Sequence, residues 1–221
     1  MKRISRDDEV ARALLEAGAL GLSLETPVTF KSGLRSPVYV DNRRLPFHPG
    51  AWRTVLEALA GRLAGSAVPF DVLAGVEAAG IPHGAALAYS LGAPFVFVRK
   101  AAKGHGTRRL VEGGSVGGRR VLLVEDLVTT GASSLAAVAG LRAEGAAVED
   151  CLAIVSYAFP EAQAAFAAAG VRLHALLTLE AVLAAALAAG RLEPAAVSEI
   201  EGWQRDPAGW AAKRGLGGEG S

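Results

Sequence analysis

Short apolar runs alternate with longer Ala- and Leu-rich segments along most of this chain. The runs at 72–74, 95–98, 121–124, 151–156 and 173–178 are nearly continuous in hydrophobic character. Unbroken rather than alternating apolar character predicts strands buried on both faces, as in a parallel sheet. Between them, residues 80–90, 131–144, 160–169 and 180–189 have the length and Ala/Leu content of helices that cover such a sheet. Strands and helices in alternation predict right-handed βαβ units, hence an α/β fold with a mostly parallel central sheet flanked by helices.

The N-terminal segment follows a different pattern. Ser5 and Asp8 stand three residues apart, the spacing of a capping box, and predict a helix running to about Ala19. Two short strands are expected around 28–30 and 38–41, then a helix from about Pro49 to Leu63. Residues 5–45 read as a small hood over a core of about 46–190, and residues 194–212 as one more helix with a Trp-anchored tail. With no internal repeat and no linker long enough to divide the chain, residues 1–221 are expected to form one domain.

Composition narrows the class. Hydrophobic residues fill 51% of the 221 positions, enough for a sizeable core. The formal net charge of +1 creates no global field favouring nucleic acid or a membrane surface, and neither partner is expected. The single cysteine, Cys151, excludes an internal disulfide, suits a reducing cytoplasm and reads as a small core residue. The charged N-terminus lacks the apolar segment of a secretory signal, and the apolar runs break too early to span a membrane.

Candidate chemistry concentrates where one apolar run ends. After 121–124 come two adjacent carboxylates, Glu125 and Asp126, then Leu127, Val128, Thr129, Thr130, Gly131, Ala132 and Ser133. In an open α/β sheet, ligands bind beyond the carboxyl ends of the strands. The unpaired N–H groups and positive dipole end of a helix start suit a phosphate, Gly131 permits close approach, and hydroxyls add donors. Carboxylates would repel that phosphate, so they must face sugar hydroxyls or a cation. Phosphate beside diol describes a ribose 5-phosphate. The plain alternative is an ordinary connection with Thr129 or Thr130 capping the helix, but a cap requires no acid pair. No G-x-x-x-x-G-K-[ST] loop occurs in the chain. The stretch resembles the motif by which type I phosphoribosyltransferases bind 5-phosphoribosyl 1-diphosphate (PRPP).

A second stretch is cationic, running from Arg99 and Lys100 through Lys103 and His105 to Arg109, with no Asp or Glu between Glu77 and Glu112. A long, glycine-broken loop in a compact domain is commonly a lid or binding loop, with a solvated basic loop as the alternative. Its order R-K-x-x-K-x-H-G is similar to the mobile catalytic loop of orotate phosphoribosyltransferases. A third stretch, 30–43, shows a turn at Ser32 and Gly33 and a short strand after Pro37. Its order K-S-G-x-x-S-P-x-Y-x-D resembles the N-terminal signature of that same family, and the likeness extends over about residues 5–212.

The resemblance implies transfer of the phosphoribosyl group from PRPP to orotate, giving orotidine 5′-phosphate and pyrophosphate in pyrimidine biosynthesis. It implies Mg²⁺ bound mainly through PRPP, not through protein ligands, and a homodimer whose lid reaches the neighbouring subunit's site. Carried over by position, PRPP binding falls to Lys31, Arg99, Lys100, Lys103, His105, Glu125, Asp126 and the turn Leu127, Val128, Thr129, Thr130, Gly131, Ala132 and Ser133. Lys103, His105, Glu125 and Asp126 are the expected catalytic groups, and orotate falls to Tyr39 and Thr129. The chain departs from the family twice. Ala78 and Ala79 stand where a Tyr-Lys pair is common, and residues 155–159 lack the Arg that pairs with the orotate carboxylate. Arg43 is the candidate for that carboxylate, with surface charge as the alternative for Arg43 and Arg44. His83 and His174 read as structural. Two rival classes are a phosphoribosyltransferase for another base, against which the third stretch argues, and a PRPP-sensing regulator, which would lose the Lys103 and His105 pair.

Overall fold

The computed structural model describes residues 5–30, 33–66, 68–100 and 110–215. Helix α1 (Arg6–Glu16) is followed by four short strands, β1 (Leu20–Leu22), β2 (Val28–Thr29), β3 (Arg35–Ser36) and β4 (Val38–Val40), and a 3-10 turn, Asn42–Phe47. Then come α2 (Pro49–Ser66), β5 (Val72–Val76), α3 (Gly80–Leu91), β6 (Phe95–Val98) and β7 (Val111–Glu112). The core continues through β8 (Arg120–Val128), α4 (Ala132–Ala143), β9 (Ala147–Ser156), α5 (Pro160–Ala168), β10 (Arg172–Thr178) and α6 (Leu179–Ala188). The tail is α7 (Pro194–Arg205) and α8 (Pro207–Lys213).

The central sheet has the order β10-β9-β8-β5-β6-β7, parallel throughout except for edge strand β7, which runs antiparallel to β6. Strand β8 explains the layering. Val121 and Leu123 pack with Val138 and Leu141 of α4 and Phe166 of α5, while Leu122 and Val124 pack on the opposite face with Leu59 of α2 and Leu87 of α3. Successive side chains alternate across a strand, so an unbroken apolar run feeds both layers. The strand order reverses between β5 and β8, the position at which an open α/β sheet leaves a ligand crevice.

The expected strands and helices of the core are all present, with one consequential difference. β8 does not end at Val124. It continues to Val128, because β9 still pairs with it at Glu125↔Ala153, Leu127↔Val155 and Val128↔Ser156 after β5 has left at Gly75↔Val124. The acid pair therefore lies inside the strand, on the stretch that β5 no longer covers.

The N-terminal segment forms two small antiparallel pairs, β1 with β4 and β2 with β3. The capping box of α1 has both halves, Asp8 N–H to Ser5 Oγ and Ser5 N–H to Asp8 Oδ2, each 3.1 Å. Residues 194–212, expected as one helix with a Trp-anchored tail, form two helices. Pro207 lacks the N–H that would continue α7, and Asp206 caps the new start by accepting from Gly209 N–H at 2.9 Å. Phe30, Tyr157, Phe159 and Trp203 meet in a cluster of edge-to-face and tilted rings with centroids 5.6–6.5 Å apart, binding hood, core and tail together. Among the described residues no helix is long and apolar enough to cross a membrane.

Candidate active site

Where β5 and β8 part, the chain opens a cleft of about 470 Å³ lined by Phe30, Tyr39, Asp41, Arg43, Glu77, Ala78, Ala79, Lys100, Glu125, Asp126, Leu127, Thr129 and Ser133, among others. A second lobe of about 490 Å³ shares Phe30 and Lys100 and runs along the turn from Leu127 to Ser133. Gly80 begins α3 against this divide, and a Cβ there would lie 2.5 Å from the Val124 carbonyl oxygen. Only glycine lets α3 start so close to β8.

Glu125 is buried, and its Oε1 accepts hydrogen bonds from the Ser133 and Ser134 hydroxyls at 3.1 Å each. Burial, and then the neighbouring Asp126 charge, push its carboxyl up to about 7, against the pull of the two serines. Burial likewise raises Asp126 to about 6, opposed chiefly by the Leu127 main-chain N–H. Burial thus shifts both carboxyls toward their protonated forms, so a hydroxyl-rich or cationic ligand that replaces the missing solvation favours their ionised forms.

Gly131 sits at the N-cap of α4 with φ 78, and no side chain caps the helix. Neither Thr129 nor Thr130 takes that role, so the first N–H groups of α4 lack a side-chain partner and meet the cleft at a positive dipole end. An L side chain is strained at this φ, and a Cβ would lie 2.7 Å from the Phe166 ring.

The expected site residues separate clearly. Tyr39, Arg43, Lys100, Glu125, Asp126, Leu127, Thr129 and Ser133 line the first lobe, and Val128, Thr130, Gly131 and Ala132 join in the second. The Ser133 hydroxyl turns toward Glu125. Arg99 is not among the lining residues, and its Nη1 pairs with Glu112 Oε1 of β7 at 3.3 Å. The Lys100 main-chain N–H donates to Glu77 Oε2 at 2.8 Å. Lys31, Lys103 and His105 lie outside the described residues. Arg43 bonds Asp41 through Nε at 2.5 Å while its side chain stays largely exposed, and the pairing lowers the Asp41 carboxyl. Tyr157, in the stretch that lacks the Arg for the orotate carboxylate, is fully buried, and its hydroxyl donates to the Val38 carbonyl at 3.4 Å.

Two cleft features are not expected from the sequence. Glu77 stands one residue beyond β5, and a carboxylate just past a strand end beside a switch point is the signal that marks it. Asn42 is buried and donates from Nδ2 to the Asp126 carbonyl at 2.7 Å. It is the chain's sole asparagine, but nothing local foretells a contact 84 residues away. His83, expected to be structural, is not among the lining residues: its Nδ1 accepts from Trp52 Nε1–H at 3.0 Å, and burial presses its pKa down to about 4. His174 bonds Asp150 at 2.7 Å near the opposite end of β9. Among the described residues no three His, Cys, Asp or Glu side chains gather closely enough to hold a metal ion.

Comparison with known proteins matches residues 54–165 to the phosphoribosyl transferase domain. The orotate phosphoribosyltransferase of Coxiella burnetii is 38% identical over 202 residues, covering 91% of this chain and 97% of that protein. The crystal structure of orotate phosphoribosyltransferase from Aeropyrum pernix superposes with a TM-score of 0.70 at 34% identity, covering 79% of this chain and 96% of that one. That of the Mycobacterium tuberculosis H37Rv enzyme in complex with PRPP gives 0.63 at 29%, covering 80% and 99%.

Proposed function

The chain belongs to the orotate phosphoribosyltransferase family, a family of pentosyltransferase enzymes, and from that premise we propose how this cleft carries out the transfer. A ring nitrogen of orotate gives up its proton and bonds to the anomeric carbon of PRPP as the bond to pyrophosphate breaks, the proton leaving with pyrophosphate or solvent and orotidine 5′-phosphate remaining. Positive charge develops on the sugar and negative charge on the departing pyrophosphate. The turn from Val128 to Ser133 holds the 5′-phosphate on the uncapped start of α4. Glu125 and Asp126 accept from the ribose hydroxyls and favour the cationic sugar. Lys31, Lys100, Lys103 and His105 offset the pyrophosphate charge, with Arg99 contributing if it leaves Glu112.

The carboxylates of Glu77, Glu125 and Asp126 that line the cleft are hard oxygen donors of the kind Mg²⁺ takes alongside substrate oxygens. Mg²⁺ held mainly by PRPP would neutralise the leaving group. Tyr39 and Thr129 border the base, and Arg43 is assigned to its carboxylate. We read residues 1–221 as one functional unit working in the cytoplasm, and as a homodimer whose 99–109 segments serve the partner's site. Phe47 and Tyr89, 85% and 91% exposed, are aromatic groups of the kind that interfaces bury. Sedimentation equilibrium tests the dimer, and a monomer at micromolar concentration would overturn it.

The observation that carries this reading is the acid pair facing the same cleft as an uncapped, hydroxyl-rich helix start. Its test is a spectrophotometric assay of orotate loss with PRPP and Mg²⁺, with uracil, adenine and hypoxanthine alongside. Orotate-specific turnover supports the reading. Turnover of a purine alone would reassign the base, and PRPP binding without turnover would indicate a sensor.

A further inference from the structure

Two buried polar atoms beneath the cleft have no hydrogen-bond partner among the described residues, Asn42 Oδ1 and His83 Nε2. Both side chains are wholly buried, so each unmet group carries a desolvation cost that a merely structural wall would have avoided with apolar residues. Burial keeps the His83 ring neutral at pH 7, and Nδ1 already accepts from Trp52, so the remaining proton resides on Nε2. Nε2 is therefore a fixed donor turned toward the Asn42 main-chain carbonyl without closing a full hydrogen bond, and Asn42 Oδ1 is an acceptor without a donor. The imidazole interacts with the main-chain carbonyl of Asn42, which opposes burial in setting its pKa and ties His83 to the residue whose amide reaches Asp126. The other end of the Asn42 amide holds the Asp126 main-chain carbonyl at 2.7 Å.

We propose that Asn42 is a positioning residue for the acid pair, and that His83, braced by Trp52, holds the Asn42 main chain where its amide meets Asp126. The order is Trp52 Nε1–H to His83 Nδ1, His83 Nε2–H toward the main-chain carbonyl of Asn42, and Asn42 Nδ2–H to Asp126 O. Asp126 needs such support because it lies on the part of β8 that β5 no longer pairs, and Asn42 supplies a bond on that free side. Reversing the amide would set oxygen against the Asp126 carbonyl, so the bond to Asp126 itself fixes which end of the amide faces β8. Asn42 touches no reacting atom in this scheme. It acts through the placement of Asp126, and a catalytic group displaced by about 1 Å loses on the order of 10²-fold in rate.

This inference rests on the phosphoribosyl-transfer reading, and wild-type turnover, measured first, tests that reading separately. Asn42→Ala should lower kcat by about 10- to 100-fold with the PRPP KM changed less than about threefold, because the loss is confined to the transition state. His83→Phe should show the same split at smaller size. His83→Gln, whose amide can accept from Trp52 and donate to Asn42, should recover most of it. Since His83 acts through Asn42, the double variant should be no slower than Asn42→Ala alone, within about twofold. Should Asn42→Ala fail to fold, His83→Phe and His83→Gln decide the matter. Overturning results are a lowered Tm with kcat unchanged, a PRPP KM raised with kcat intact, additive losses in the double variant, or no recovery in His83→Gln.

Discussion

The indole N–H of Trp203 donates to the main-chain carbonyl of Arg35 at 2.7 Å, tying helix α7 to strand β3 across 168 residues. Trp203 is wholly buried, and its ring packs edge-on against Phe30, which lines both lobes of the cleft. The tail therefore sets where one wall of the site stands. Trp203→Ala should cost about 3–5 kcal/mol, as large aromatic truncations do, and should raise the orotate KM as Phe30 loses its support. Trp203→Phe, which keeps a ring but drops the hydrogen bond, should cost less. Thermal unfolding and steady-state kinetics measure both, and a stability loss with unaltered KM would show that the tail does not shape the site.

The acid pair should make ligand-free stability depend on pH with a definite sign. Glu125 and Asp126 have folded-state values raised to about 7 and about 6, so each binds its proton more tightly folded than unfolded. The resulting stabilisation is complete below their ordinary values near 4 and is lost as pH rises through 6 and 7. Glu125→Gln removes the larger contribution. At pH 8 it should stabilise the free protein by roughly 1–3 kcal/mol, after sharing the effect across a coupled pair, while lowering kcat. Melting curves at pH 5 and pH 8 decide this: the wild type should lose more Tm between them than the variant, and equal losses would refute the burial argument.

Much of this arrangement is legible in the amino-acid sequence alone. The core strands announce themselves because each apolar run is bounded by breakers, and Glu125 with Asp126 stand out because charge rarely interrupts a buried strand. The length of β8 is not legible, since its last residues depend on β9 pairing where local pattern shows only acids and hydroxyls. β7 has two residues, too few for any periodicity. Side-chain choices between distant partners are equally hidden. Arg99 turns to Glu112 rather than the cleft, Ser133 to Glu125, and Asn42 to a carbonyl on another element. Local pattern determines which elements form, whereas these contacts are settled only when the elements meet.

The phosphate turn should be intolerant of a single methyl group. Gly131→Ala places a side chain at φ 78 and drives its Cβ to 2.7 Å from the Phe166 ring. The left-handed conformation alone costs about 1–2 kcal/mol, and relief of the clash must move the start of α4. The PRPP KM should rise by about tenfold or more, since the N–H groups no longer converge on one point. Phe166→Leu in the same background removes the clash but not the backbone strain, and should restore part of the affinity. A KM unchanged in Gly131→Ala would mean that the 5′-phosphate binds elsewhere.

We propose that recognition of the base rests on Arg43, which lines the same lobe as Tyr39, Asp126 and Thr129. Its bond to Asp41 uses Nε at 2.5 Å, which leaves the paired Nη1 and Nη2 groups for a ligand carboxylate. Asp41 thereby orients the fork without neutralising it fully, and orotate differs from uracil by the one charge that the fork would meet. Arg43→Ala should raise the orotate KM by about 10- to 100-fold, the equivalent of about 1.5–3 kcal/mol for a charged hydrogen bond, with the PRPP KM nearly unchanged. Arg43→Lys, which keeps the charge but loses the planar fork, should recover only part of this. The opposite pattern is equally informative: if PRPP binding weakens and orotate binding does not, Arg43 serves as counter-charge to the nearby Asp126, and the base carboxylate is held by main-chain N–H groups near Thr129.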